Sequence, residues 1–432
     1  MVRWSEVVLS VIPYFVNNYL THMNRFISLF WLALLPCLLQ AQTFNCDNDQ
    51  YLLPEFTVDE TPGILFGNNT GVNGQSEDLL LDIYEPSGDT SSIRPVILWG
   101  FGGSFVGGSR GQVGFLCEDY AELGYVAIAY DYRIGFFIPS SISTALAVLR
   151  GAHDTRAAVR WLYKSAQEGN PYRIDTNRIF VAGVSAGAVS AIHAAYLFEG
   201  DSIFDYFTPQ TWNNLGGFSG LSGNDGYSEK VHGVVNYSGA VGLNEWIDGN
   251  EVPMISFHDV GDNIVPYDRR EVNVFSIPTG LIVSGSEVMD RRLDTLGLTH
   301  CLQSYNSNSH VSYLYDSEPV ERSARFLKAV MCNRYYDCEA DSIGGELPPV
   351  VSIDIPSEDN NLLIDIRDGM LFIDNTSVQQ IEIYDLLGQR LASCQGNSLL
   401  LPSYNGVMYV RIFNGVKWES FGLNARNQSR NQ

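Results

Sequence analysis

Arg178-Ile179-Phe180-Val181-Ala182-Gly183-Val184-Ser185-Ala186-Gly187-Ala188 is the stretch on which the reading of this chain turns. Ile179 to Ala182 is an unbroken apolar run, as expected of a strand covered on both faces. Ala188 to Tyr196 is a small-residue helix. The turn between them is too tight for side chains at Gly183 and Gly187, and it leaves the Ser185 hydroxyl projecting. The N–H of Ala186 falls at a helix N-terminus, where it can donate to an oxyanion. Strand, Gly-x-Ser-x-Gly turn and helix in that order make a nucleophile elbow. Alone, the motif could equally be a Gly/Ser turn in a loop, so its partners decide.

Outward from this stretch, residues 43–340 alternate strand and helix signals. Strands are expected at Leu79–Tyr84, Pro95–Trp99, Tyr125–Tyr130, Val231–Tyr237, Pro253–His258 and Leu302–Tyr305. Helices are expected at Glu118–Leu123, Ala152–Ser165, Arg291–Leu296 and Glu318–Val330. The alternation implies βαβ units and an α/β fold with a mostly parallel sheet and helices on both faces. Residues 200–228, rich in Gly, Asn, Ser and aromatics, read as a cap or loop over the site. Composition shifts at Asp341. Residues 341–356, with three prolines and a Gly pair, read as a linker. From 357 to 432 short apolar strands are separated by turns such as Asp368-Gly369, Asn405-Gly406 and Asn414-Gly415, predicting a small all-β sandwich.

A serine hydroxyl needs a base, and the base an orienting acid. In an open parallel sheet both come from loops at the carboxyl ends of later strands. Asp262 follows one such strand in His258-Asp259-Val260-Gly261-Asp262-Asn263-Ile264-Val265-Pro266, and His310 follows the last. Asp259 is a rival acid, but Asp262 better fits a D-x-x-V-P acid loop. His300 is a rival base, but it is expected before the last strand rather than after it. His258 and His193 read as buried structural histidines, and Asp154 with Arg156 as an ion pair supporting the elbow helix. The loop after Pro95–Trp99 contains Gly102-Gly103-Ser104-Phe105, whose glycines let backbone N–H groups approach a reacting oxygen.

The chain has 432 residues, a formal net charge of −23 and a pI near 4.5. That charge argues against nucleic acid or an anionic membrane as partner. Asn24-Arg25, the apolar run Phe26–Leu39 and Gln40-Ala41-Gln42 read as a secretory signal starting at Met23, within an N-terminal extension 1–42. The run is too short for a stable membrane span. Loss of the signal leaves six of the seven cysteines, which an exported protein can pair. If Cys394 belongs to a separate tail, five remain and one stays free. No HExxH or Cys/His ligand cluster occurs, so neither metal nor cofactor is expected.

Residues from about 75 to 330 resemble the α/β-hydrolase superfamily in its carboxylesterase branch. The resemblance rests on Leu81-Asp82-Ile83-Tyr84, Gly102-Gly103-Ser104-Phe105, Asp154-x-x-Ala157-Ala158-x-Arg160-Trp161, Gly183-Val184-Ser185-Ala186-Gly187, His258-x-x-x-Asp262 and His310. It implies Ser185 as nucleophile, His310 as base, Asp262 as orienter, and Gly102, Gly103 and Ala186 as the oxyanion hole. The family usually carries His before the glycine pair; this chain carries Phe101. The tail resembles the C-terminal sorting domain of the type IX secretion system of Bacteroidetes, through Ile381–Gln389 and Gly406–Ile412, without the family's opening Pro-Asn-Pro.

Together these imply a secreted or surface-displayed serine carboxylic-ester hydrolase acting through an acyl-enzyme on a small-molecule or polymer-borne ester, with the type IX machinery as a partner. Two other classes remain open: a non-catalytic hydrolase-like adhesion module, and a serine peptidase of the prolyl-oligopeptidase type, which would need preceding propeller repeats.

Overall fold

The computed structural model describes residues 45–346 except 137, 202, 204, 205, 275 and 276, and beyond them the strands between 351 and 425 with positions 379 and 396. The expected signal within 1–42 and the tail turns at 368–369 and 414–415 lie outside the described residues. Among the described residues no helix is long and apolar enough to cross a membrane.

Eleven strands precede residue 306: β1 (Thr57–Thr70), β2 (Ser76–Ser87), β3 (Arg94–Gly100), β4 (Val126–Tyr130), β5 (Ile174–Val184), β6 (Val234–Tyr237), β7 (Ala240–Val241), β8 (Met254–Asp259), β9 (Arg269–Val274), β10 (Ile277–Gly285) and β11 (His300–Tyr305). Eight form one sheet in the order β1-β2-β4-β3-β5-β6-β8-β11. Its β1–β2 and β2–β4 pairings are antiparallel, and every pairing from β4 to β11 is parallel. The apolar runs at Val96–Trp99, Val126–Tyr130 and Ile179–Ala182 are fully buried, because helices cover both sides. Successive strand residues point to opposite faces: Trp99 packs on Tyr120 of helix Gly114–Glu122. Its neighbour Gly100 instead meets Gly187 of helix Ala186–Tyr196. Helix Ser141–Gln167 packs beside the latter, and helix Ser317–Met331 beside the former.

Register decides where the chemistry can sit. Gly100 lies beside Gly183, Val184 beside Tyr237, Tyr237 beside Phe257, and Asp259 beside Tyr305. The carboxyl ends of β3, β5, β8 and β11 therefore form one edge, and the loops after them carry residues 101–109, 185, 262 and 310. A second, antiparallel sheet, β7-β10-β9, forms a wall above that edge with Ala240, Val265, Leu281 and Val283 buried together.

Several elements differ from the sequence reading. Helix Ser141–Gln167 starts eleven residues before the expected Ala152, capped by Ser140, whose side chain accepts from the Ser143 N–H. β1 was not anticipated: Pro62-Gly63 interrupts it, and it tolerates them as an edge strand with a register shift between Thr61 and Ile64. The stretch 341–356 is not a plain linker. Ser342–Glu346 pairs with Arg334–Asp337, and Val351–Asp354 pairs with Trp418–Ala425. Alternation at Val351 and Ile353 supplies the strand; Pro348, Pro349 and Pro356 lie outside the described residues.

The tail strands form a five-stranded and a three-stranded sheet, all antiparallel. Leu371 of one and Ile381, Ile383, Val410 and Ile412 of the other are buried.

Candidate active site

Ser185 directly follows β5 and caps helix Ala186–Tyr196 at φ 56°, ψ −117°, outside the ordinary regions for a side-chain-bearing residue. The turn holds because two glycines let chains touch. A Cβ on Gly183 would lie 2.2 Å from the Gly187 carbonyl carbon, and one on Gly187 would lie 2.1 Å from the Gly100 oxygen. The Ser185 N–H donates to the Tyr237 carbonyl at 2.7 Å, tying the elbow to β6.

Three residues far apart in sequence meet here. His310 Nε2 is 2.8 Å from Ser185 Oγ, and His310 Nδ1 is 2.6 Å from Asp262 Oδ2. With Nδ1 protonated toward the carboxylate, Nε2 is free to accept from the serine hydroxyl. Asp262 is fully buried, and its Oδ1 accepts from the Ile264 and Val265 N–H groups at 2.8 and 3.1 Å. Burial alone would raise its pKa, but hydrogen bonds from His258 and His310, the charge of His310 and the Ile264 N–H bring it down to about 2. The acid is thus ionised wherever the imidazole works.

The rivals have other duties. Asp259 accepts from the Ser312 N–H at 2.8 Å and the Ser312 hydroxyl at 2.5 Å, so it fixes the loop after His310. His300 is the first residue of β11, not outside it, at the end away from Tyr305, and its Nε2 is 3.2 Å from Asp290 Oδ1. His193 is buried, with Nδ1 2.8 Å from the Val189 carbonyl and Nε2 accepting from Gly242 N–H. His258 is buried against Ser286 Oγ and the Val265 carbonyl, with Nε2 3.4 Å from Asp262 Oδ2. No local pattern marks His258 as a further neighbour of the acid.

Asp154 and Arg156 are not partners. Two residues apart on a helix they face different ways. Asp154 pairs with Arg133, and Arg156 donates to the Ala194, Phe218 and Leu197 carbonyls. Arg156 nevertheless joins the elbow helix to the 217–223 segment.

The main chain of Gly102 stands beside the serine: a Cβ there would be 3.4 Å from Ser185 Cβ. Gly103, Ser104 and Phe105 follow at φ 132°, 52° and 60°. Ala186 is the first residue of its helix, where N–H groups have no intrahelical acceptor. Phe101, in place of the expected His, is buried with its ring stacked on Tyr132.

From Ser185 an apolar cavity, open to solvent, runs between the elbow helix and the β7-β10-β9 wall. Phe105, Val148, Leu149, Val189, Phe207 and Trp212 line it. The 200–228 region contributes Ile203, Tyr206, Phe207 and Trp212; β9 and β10, not read from the sequence, contribute Val272, Val274, Leu281 and Val283.

Cys46 is bonded to Cys332 and Cys301 to Cys338; Cys117, which is buried, and Cys394 are free. Among the described residues no cluster of His, Cys, Asp and Glu could hold a metal ion.

Strand order, elbow, and acid and histidine loops at one sheet edge decide the class. The fold is that of the α/β-hydrolases. Residues 81–246 match the family described as BD-FAE. The chain is 28% identical over 163 residues to Lipase 1 of Geotrichum candidum, a match covering 35% of this chain and 28% of that protein. It is 32% identical over 123 residues to the fumonisin B1 esterase of Sphingopyxis macrogoltabida, covering 27% and 22% respectively. The chain thus spans less than a third of the length of either relative. Among solved structures it is similar to the propionate-bound esterase Est2 of Thermogutta terrifontis, at 20% identity and TM-score 0.43, over 63% of this chain and 94% of that one.

Proposed function

We propose that this protein is a secreted serine carboxylic-ester hydrolase. The observation that carries the reading is the hydrogen-bonded line Ser185–His310–Asp262 at the mouth of an apolar cavity. Ser185 Oγ attacks the ester carbonyl carbon as its proton passes to His310 Nε2. The oxygen, now negative, is received by the N–H groups of Gly102, Gly103 and Ala186. The C–O bond to the alcohol breaks as His310 returns the proton to the leaving oxygen, leaving an acyl-serine. Water repeats the sequence and releases the acid. Asp262 stays ionised and stabilises the imidazolium formed at each step.

The cavity walls favour an ester with an uncharged, apolar portion, since burying a charge among Phe105, Leu149, Phe207 and Trp212 would leave it unpaired. The esterase and lipase relatives support the reaction class. A graded series of 4-nitrophenyl esters, offered to wild type and Ser185→Ala, tests the reading. Hydrolysis that rises with acyl length and vanishes in the variant is expected; equal hydrolysis by the variant removes it.

For the tail, the reading is a type IX sorting signal. Support comes from Ile381–Gln389 and Gly406–Ile412 and from the antiparallel pairing of Gln380–Tyr384 with Gly406–Phe413. An exported reporter carrying residues 342–432 should reach the cell surface or medium of a type IX-competent host. Retention in the periplasm would make the tail a surface-binding β module.

A further inference from the structure

We propose that Tyr132 is a positioning residue that presets the oxyanion loop, a reading that rests on the ester-hydrolase function above. The loop from Phe101 to Phe105 cannot be expected to hold its own shape. Gly103, Ser104 and Phe105 have positive φ in succession, and two of the three carry side chains that disfavour it. Its internal bonds run only from the Val106 and Gly107 N–H groups to the Gly103 carbonyl.

Both ends of the loop are instead tied to one short segment after β4. The Tyr132 hydroxyl donates to the Phe101 carbonyl at 2.7 Å, and the Gly135 N–H donates to the Phe105 carbonyl at 2.5 Å. Tyr132 adds ring contacts at the same two places. It stacks on Phe101 at 4.3 Å between centroids and meets Phe105 edge-on at 5.9 Å. Burial pushes its hydroxyl well above the usual tyrosine range, so it remains a donor.

The brace is itself anchored. The Arg133 N–H and guanidinium both bond the buried Asp154 carboxylate, and the guanidinium also reaches the Thr70 carbonyl and Ser222 Oγ. The Asp131 N–H donates to the Leu80 carbonyl, and the Gly135 carbonyl accepts from Arg150. A deeply fixed segment thus reaches out through one phenol to the residue just before Gly102 and Gly103. Tyr132 touches no reacting atom; it sets where the two N–H groups point.

The test is Tyr132→Phe in the full chain, which keeps the ring and removes only the hydroxyl. With 4-nitrophenyl butyrate, kcat should fall roughly 10- to 100-fold while KM stays within twofold, because the lost alignment matters only once the oxyanion forms. The affinity for a trifluoromethyl ketone, whose adduct with Ser185 carries the same negative oxygen, should fall by the same factor. Tyr132→Met, which also loses the stack, should lose more of both. Unchanged kcat and ketone affinity in Tyr132→Phe overturn the proposal, as does a loss confined to KM. A loss that merely follows Tm across the two variants also overturns it. Failure of the wild type to hydrolyse any ester would instead sink the functional reading beneath it.

Discussion

Replacing Asp262 with Asn probes the line of hydrogen bonds at its least replaceable member. The carboxylate is fully buried, with His310 Nδ1 at 2.6 Å and His258 Nε2 at 3.4 Å from one oxygen, and the Ile264 and Val265 N–H groups on the other. With its oxygen kept on the Ile264 and Val265 N–H groups, an amide of the same shape turns a donor toward the protonated Nδ1 or forces His310 into the tautomer that cannot accept from Ser185; turned the other way, its NH2 faces those two N–H donors. It also removes the negative charge that faces the imidazolium. In serine hydrolases built this way the loss in kcat is about 10⁴-fold, and that is the expectation here, with KM little changed. The same carboxylate supports folding. A pKa held at about 2 instead of the ordinary 3.8 corresponds to about 2.5 kcal/mol at 1.36 kcal/mol per unit. Since the folded value is depressed, this stability is present above pH 3.8 and is lost as pH falls toward 2. Wild type should therefore lose Tm across that interval faster than Asp262→Asn. The assays are 4-nitrophenyl butyrate turnover and calorimetry from pH 2 to 7. Asp259→Asn is the control, because it loosens only the Ser312 tether and should cost a few-fold. Asp262→Asn retaining more than about a tenth of wild-type kcat, or ranking above Asp259→Asn in activity, would refute the argument.

Ser185→Ala and His310→Ala should each reduce kcat by about 10⁴–10⁶, and the double variant should be little worse, because the two act as one unit; single-turnover kinetics with an activated ester checks the non-additivity. His153 and His193 sit at pKa values of about 3 and 4, pushed down by burial and by the Arg156 charge. Their unfolded forms bind protons below pH 6.5 while the folded ones do not, so Tm should fall as pH drops from 6.5 toward 4, and His153→Gln/His193→Gln should flatten that slope. Gly187→Ala should prevent folding, since its Cβ would sit 2.1 Å from a backbone oxygen; soluble, active Gly187→Ala would show that the elbow can open.

Much of the fold was written in local signals. Val96–Trp99, Val126–Tyr130 and Ile179–Ala182 announce central strands because burial on both faces leaves no polar position to interrupt them. The elbow is legible because contact between Gly183, Gly187 and Gly100 leaves no other residue type possible. Asp262 is preferred to Asp259 by the D-x-x-V-P pattern of its loop, and His310 to His300 because it follows the last expected strand instead of preceding it. What stayed hidden depends on contacts distant in sequence. Nothing local to Asp154 names Arg133 as its partner, and nothing local to Tyr132 names Phe101. The β9–β10 wall alternates at Val272, Val274, Leu281 and Val283, but the positions of the other face mix Glu271, Asn273 and Gly280 with an exposed Ile282, so the alternation of apolar and polar residues is broken. The strands at Ser342–Glu346 and Val351–Asp354 were masked by the prolines between and after them.

The Cys46–Cys332 bond brings residues near the two ends of the α/β layer to a Cα separation of 5.7 Å, and Lys328 adds bonds to the Asn48 and Gln50 carbonyls. Topologically that layer is a ring. A protease cutting any exposed loop between residues 46 and 332 converts it into a two-ended but still single molecule, so nicked protein keeps both fragments under non-reducing conditions. Its origin is also arbitrary: a short bridge in place of the disulfide, with new termini opened in a surface loop such as Gly71–Gly74, would give a permuted chain with the same Ser185, Asp262 and His310 edge.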